Sequence, residues 1–244
     1  MGITKGNSAK PTIVLVHGAF AESSSWNSVI APLIDDDFPV LAVANPLRGV
    51  AHDSDYLRQV LAGIEGDIIC VGHSYGGFVT SNAATDNGRV KALVFVGAFA
   101  PDEGESAAQL AGQYEGGTLG ETLETVALSG GGTDLYIRQS VYRSQFAADS
   151  PEADTAVMSV TQRPITEAAL NEASGSPAWR TIPSWFIFGD ADKNIPVAAH
   201  RFMAKRAGSR RTVELAGGSH TVAIPEAPAL VDLIREAADE VQGV

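Results

Sequence analysis

The sequence predicts an α/β fold: a mostly parallel sheet of about six strands, flanked by helices and interrupted by one helical insertion. Three observations predict it. Short β-branched runs recur along the chain, mostly without polar–apolar alternation, as strands buried on both faces of a covered parallel sheet do. Segments of helical character separate them, the alternation expected of right-handed crossovers. Between the fourth and fifth runs lie roughly 80 residues with no comparable run, too many for a plain loop.

Residues 1–11 read as a loose polar tail. The first strand, Thr12–Val16, ends at His17-Gly18. It is followed by a helix at 26–34, a strand at Val40–Val43, a helix at 53–63, a strand at 67–71, a helix at 77–87 and a strand at 92–96. The insertion, 101–182, holds glycine clusters (Gly116-Gly117 and Gly130-Gly131-Gly132) and helix-like pieces near 121–128, 135–146 and 152–160. It is expected to form a helical cap over the strand ends, because Tyr136, Tyr142, Phe146, Met158 and Trp179 would be wasted in a disordered segment. The core, expected to comprise 1–100 and 183–244, resumes with a strand at 184–188, a helix at 197–207, a strand at Thr212–Leu215 and a helix at 227–241.

Composition narrows the function. With 45% hydrophobic residues in 244, the chain can build a sizeable core and is neither disordered nor fibrous. Lys and Arg number 17 against 29 Asp and Glu, a net charge of −12, which argues against binding phosphate backbones or anionic lipid. The one cysteine, Cys70, excludes an internal disulfide and fits a reducing compartment. No apolar run reaches transmembrane length, and the polar N-terminus lacks the apolar middle of a signal peptide. The expectation is a cytoplasmic protein acting on a small molecule, with no nucleic-acid or membrane partner; oligomeric state stays open.

The strand at 67–71 runs into Gly72-His73-Ser74-Tyr75-Gly76-Gly77, a G-x-S-x-G placed directly after a buried strand and directly before a helix. A serine on that tight turn has strained backbone angles and projects its hydroxyl at a helix N-terminus, where developing negative charge is favoured. It needs a base to take its proton. Of His17, His52, His73, His200 and His220, it is His220 that follows the last core strand, in a loop before the C-terminal helix where function gathers in open α/β sheets. His73 reads as structural, and His52 and His200 as surface residues. The base needs an orienting carboxylate, for which the loop after 184–188 offers Asp190 and Asp192; spacing alone leaves both open. A tetrahedral oxyanion needs backbone donors. One is expected from Tyr75, the other from the loop His17-Gly18-Ala19-Phe20.

These residues resemble the α/β-hydrolase superfamily over nearly the whole chain. More narrowly, V-L-V-H-G-A at 14–19, V-G-H-S-Y-G-G at 71–77 and A-F-A-P-D at 98–102 resemble small carboxylesterases related to plant methyl esterases and hydroxynitrile lyases. The resemblance implies a catalytic triad of Ser74, His220 and an aspartate. The family's G-x-x-D-x-x-x-P pattern falls on Gly189, Asp192 and Pro196, which carries the acid to Asp192. The second oxyanion donor falls on Ala19, with Phe20 as the substitute. Two departures bear on the reaction: Gly18 stands where the lyases carry threonine, and Thr221 where they carry the lysine that stabilises departing cyanide. Hydrolysis of a small to medium carboxylic ester is therefore expected. Perhydrolase, haloperoxidase-like or C–C hydrolase chemistry on the same triad is the alternative, and a non-catalytic receptor of the same fold a further one. No metal or organic cofactor is implied. Phe20, Trp26, Phe99, Met158 and Trp179 are the expected pocket residues, from their loop and cap positions.

Overall fold

The computed structural model describes residues 10–243; all but the end of the tail read at 1–11 lies outside the described residues. The chain begins with β1 (Thr12–Val16), α1 (Asn27–Asp35), β2 (Val40–Val43), α2 (Val50–Ala62), β3 (Ile68–His73), α3 (Gly76–Ala83) and β4 (Val90–Val96). The insertion holds α4 (Ala107–Gly112), β5 (Leu123–Ala127), β6 (Thr133–Ile137), α5 (Gln139–Phe146), α6 (Glu152–Thr161), the two-residue β7 (Ile165–Thr166) and α7 (Glu167–Asn171). It is followed by β8 (Ser184–Gly189), α8 (Val197–Arg206), β9 (Thr212–Leu215) and α9 (Ala227–Gln242).

Six strands form one parallel sheet in the order β2-β1-β3-β4-β8-β9. The inner strands β1, β3 and β8 are buried at every position, which is why their sequences do not alternate. The edge strands β2 and β9 are only partly covered. The pleat divides the core in two. Val14, Val16, Cys70 and Phe95 face α2, α3 and the insertion, while Ile13, Leu15, Ile69 and Trp185 face α1 and α9. Helix α9 closes that second layer with Leu230, Leu233 and Ile234, each at most 1% exposed; a side chain of this size contributes about 1.5–3 kcal/mol when fully buried. Cys70 lies at 0% exposure in the middle of β3, and burial pushes its thiol up to about 12.

The insertion is not helical throughout. Residues 123–127 and 135–137, which read as parts of helix-like pieces, instead lie in β5 and β6, which pair antiparallel, and β7 completes a three-stranded sheet ordered β5-β6-β7. The turn between β5 and β6 uses Gly131 (φ +90°) and Gly132 (φ +88°), in the left-handed region that glycine enters freely. β5 is mostly exposed while β6 buries Asp134, Leu135 and Ile137, so this hairpin lacks the continuous apolar run of the core strands. Two carboxylates tie the insertion to Arg48 and to the first turn of α2. Asp134 receives Arg48 Nη1 at 2.6 Å, and Glu172 accepts the Val50 and Ala51 N–H groups at 2.6 and 3.1 Å. Among the described residues no helix is long and apolar enough to cross a membrane.

Candidate active site

The turn from β3 into α3 holds Ser74 at φ +53°, a left-handed conformation for a residue with a side chain. Hydrogen bonds on both sides of the turn maintain it. The Ser74 N–H donates to the Val96 carbonyl at 3.3 Å, and the Ser74 carbonyl accepts from the N–H groups of Gly77 and Phe99 at 3.0 and 3.2 Å. The side chain lines a cavity of about 70 Å³ with Ala19, Phe20, Tyr75 and Phe99.

β8 and β9 are neighbours in register at Gly189 and Leu215, so the loops leaving them run side by side. The Asp190 and Ala191 N–H groups donate across to the carbonyls of Leu215 and Gly218, both at 3.0 Å. The approach depends on glycine, since a Cβ on Gly189 would lie 2.8 Å from Gly218 Cα and closer still to its carbonyl. One loop delivers Asp192 and the other His220, and His220 Nδ1–H donates to Asp192 Oδ2 at 2.7 Å with both side chains fully buried. Asp192 Oδ1 accepts the Asn194 and Ile195 N–H groups at 2.7 and 3.0 Å. Burial alone would raise the Asp192 pKa, but the two imidazoles of His220 and His200 outweigh it and hold the carboxyl well below the usual range. His220 Nε2, on the far side of the ring, is buried without a hydrogen-bond partner, so Ser74 Oγ is not bonded to it.

His73 links this pair to the serine turn. Its Nε2–H donates to the His220 carbonyl at 3.0 Å, and the two ring centres lie 4.8 Å apart. Burial, with the neighbouring His220, lowers the His73 pKa to about 3, so the ring is neutral at ordinary pH. Ser219 donates its N–H and hydroxyl to Asp149, fixing the His220 loop to the insertion. The loop after β1 is held as firmly. His17 Nε2 accepts the Asn45 N–H at 3.0 Å, and its Nδ1–H donates to the Gly18 carbonyl at 2.9 Å. Phe20, at φ +59°, gives its N–H to the Arg163 carbonyl at 3.0 Å and takes the Tyr142 hydroxyl on its own carbonyl at 2.7 Å. The Tyr75 hydroxyl donates to the buried Asp53 at 3.1 Å.

The structure therefore brings Ser74, Tyr75, Ala19, Phe20 and Phe99 to one cavity, and Asp192 to His220. Asp190, the other carboxylate that spacing allowed, accepts the Gly217 N–H at 2.7 Å. Met158 lies with Phe20 in an adjoining cleft of about 300 Å³. Trp26 lies in the core layer against α1 and α9, edge-on to His73. Trp179 packs beneath Arg206 and donates its indole N–H to the Pro101 carbonyl at 2.6 Å. His200 is a correction. Read as a surface residue, it is 0% exposed and bonds Asp192. Its helical spacing to Met203 and Ala204, which share its buried face, was the signal for this. Among the described residues no group of three or more His, Cys, Asp or Glu is arranged to hold a metal ion.

A parallel six-stranded sheet with the serine turn, an acid–histidine pair on the loops after its last two strands and an inserted segment define a class, and the chain belongs to it: residues 13–232 match the alpha/beta hydrolase family. Among its relatives, an alpha/beta hydrolase, nvfD, of Aspergillus novofumigatus is 24% identical, over 95% of this chain and 98% of that one. A putative chloroplastic methylesterase 11 of Arabidopsis thaliana is 26% identical, over 92% of this chain and 63% of that longer protein. Among solved structures, polyneuridine aldehyde esterase superposes with a TM-score of 0.81 at 18% identity, covering 94% of this chain and all of that one, a likeness of fold.

Proposed function

We propose that the protein is a serine hydrolase that cleaves a carboxylic ester with a short acyl group. The observation that carries this reading is the buried His220–Asp192 pair at 2.7 Å. Its free Nε2 is buried, and its backbone is tethered to the histidine beside Ser74. Asp192 fixes the Nδ1–H tautomer, leaving Nε2 to take the Ser74 proton as Oγ bonds to the ester carbonyl carbon. The Tyr75 and Ala19 N–H groups receive the oxyanion; the Phe20 N–H is committed to Arg163. As the C–O bond breaks, His220 returns the proton to the departing alcohol. Water then attacks the acyl-enzyme through the same base and frees the acid. The 70 Å³ cavity has the volume of only about two waters, which suits a short acyl chain, and the cleft beyond Phe20 leaves room for a larger alcohol. The names of the methylesterase and aldehyde-esterase relatives agree with ester chemistry. The net charge of −12 suits a small-molecule substrate rather than nucleic acid or anionic lipid, and the buried lone thiol suits a reducing cytoplasm.

The test is turnover of p-nitrophenyl acetate, butyrate and octanoate by the protein and by Ser74→Ala. Hydrolysis that favours the short esters and disappears in the variant is expected. Equal rates in the two proteins would overturn the reading.

A further inference from the structure

Asp192 carries a second histidine that the proposed reaction does not use. His200 Nε2 lies 3.0 Å from Asp192 Oδ2, the same oxygen that holds His220 Nδ1 at 2.7 Å. Oδ1 is occupied by two backbone N–H groups, so all four acceptor positions of a carboxylate are filled. The His200 ring is fully buried, stacks on Phe188 with centroids 4.7 Å apart, and leaves its Nδ1 without a partner. That unpartnered nitrogen favours the neutral form of the ring. Protonated at Nε2 alone, His200 leaves a bare acceptor. Protonated at both, it would bury a charge and a donor with nothing to receive it.

We propose that His200 is a positioning residue for the reaction: as a neutral Nε2–H donor it locks the Asp192 carboxylate and withdraws part of its charge from His220, setting the pH at which His220 becomes free to act as a base. This rests on the esterase reading above. The positive end of the His200 N–H dipole points at the oxygen beside the His220 Nδ1–H, so it opposes a second positive charge on His220. The other titratable or charged groups facing the cluster are few. His73 lies behind His220 and is neutral. Glu214 on β9 is paired with Arg201, and Asp149 holds Ser219 beside His220.

The experiment compares the protein with His200→Phe, which keeps the stacked ring and loses the donor, and His200→Gln, which keeps an N–H. The His220 imidazole is titrated by nitrogen NMR, and the pH profile of kcat/KM is measured beside it. In His200→Phe the His220 titration is expected to move up by about half a unit to one unit, carrying the acid limb of kcat/KM with it. His200→Gln is expected to return both toward the parent values. Unchanged His220 titration in His200→Phe would overturn the proposal, because a merely structural ring would alter the melting temperature and leave that titration in place. Should His200→Phe not fold, nitrogen shifts of the parent protein decide: Nε2–H on His200 supports the proposal and Nδ1–H overturns it. Neither NMR measurement needs turnover, so they stand apart from failure of the esterase reading, which would appear as a parent protein without serine-dependent hydrolysis.

Discussion

Replacing Gly189 by alanine should injure stability and turnover together, because one close approach supports both. The new Cβ would lie 2.8 Å from Gly218 Cα, against 3.4 Å or more for an ordinary contact. Relieving that pair alone parts the two loops by about 0.6 Å, and the Gly218 carbonyl demands more. The His220–Asp192 hydrogen bond joins those same loops at 2.7 Å; an added 0.6 Å stretches it to about 3.3 Å, past the usual limit of about 3.2 Å. Overpacking of this kind costs about 1–3 kcal/mol, and each kcal/mol lowers Tm by about 2–4 °C at this chain length. Misplacing a reacting group by about 1 Å lowers the rate on the order of 100-fold. Urea denaturation followed by tryptophan fluorescence reads the first effect, and p-nitrophenyl ester hydrolysis at low temperature the second. A Gly189→Ala protein that unfolds at the parent midpoint and keeps its kcat would refute the reasoning.

Other outcomes follow from the same geometry. His73 ordinarily titrates near 6.5 and is lowered to about 3 by burial, so between those values the unfolded chain takes up a proton that the folded one refuses. The stability this provides is complete above about pH 6.5 and declines as pH falls toward 3, by up to about 1.4 kcal/mol per pH unit; denaturation midpoints at pH 7 and 5 should lie closer together in His73→Phe than in the parent. Asp53 accepts the Tyr75 hydroxyl and the Arg48 N–H at 3.1 and 3.0 Å from a fully buried position. Asp53→Ala leaves these donors without a partner and should cost about 2–4 kcal/mol in urea denaturation, an undiminished midpoint counting against that network. Phe20 lines both the serine cavity and the adjoining cleft, so Phe20→Ala should raise octanoate hydrolysis relative to acetate. Trp179→Ala should cost about 3–5 kcal/mol and leave that ratio unchanged; the same p-nitrophenyl series and a melting curve distinguish the two.

Much of the sheet was legible because inner strands of a parallel sheet are buried, and mostly apolar, at nearly every position. Thr12–Val16 and residues 68–71 could be found without reference to their neighbours. The β5–β6 hairpin escaped notice because only one of its faces is covered, although the glycines at 130–132 between two stretches rich in β-branched and aromatic residues form a hairpin signal. The placing of Ser74 on the turn after β3, and of Asp192 and His220 on the loops after β8 and β9, was legible from motif and chain order. The partner of Asp192 on its other side was not: helical periodicity places His200 on a buried face but cannot say which loop passes over it. The pocket was least legible. Trp26 and Trp179 sit near the right segments in sequence, yet whether an aromatic faces a cavity or the core depends on how the insertion packs, and that is settled by contacts far apart along the chain.

Cys70 gives the molecule a clock of its own. It is the single thiol in 244 residues, shielded on both sides by the pairing of β3 with β1 and β4, and its pKa, raised to about 12, leaves almost no thiolate in the folded state. A reagent that alkylates thiolates can reach it only when the centre of the sheet comes apart. The rate of labelling under native conditions therefore counts those rare openings directly, and it does so on the strand that leads straight into the Ser74 turn.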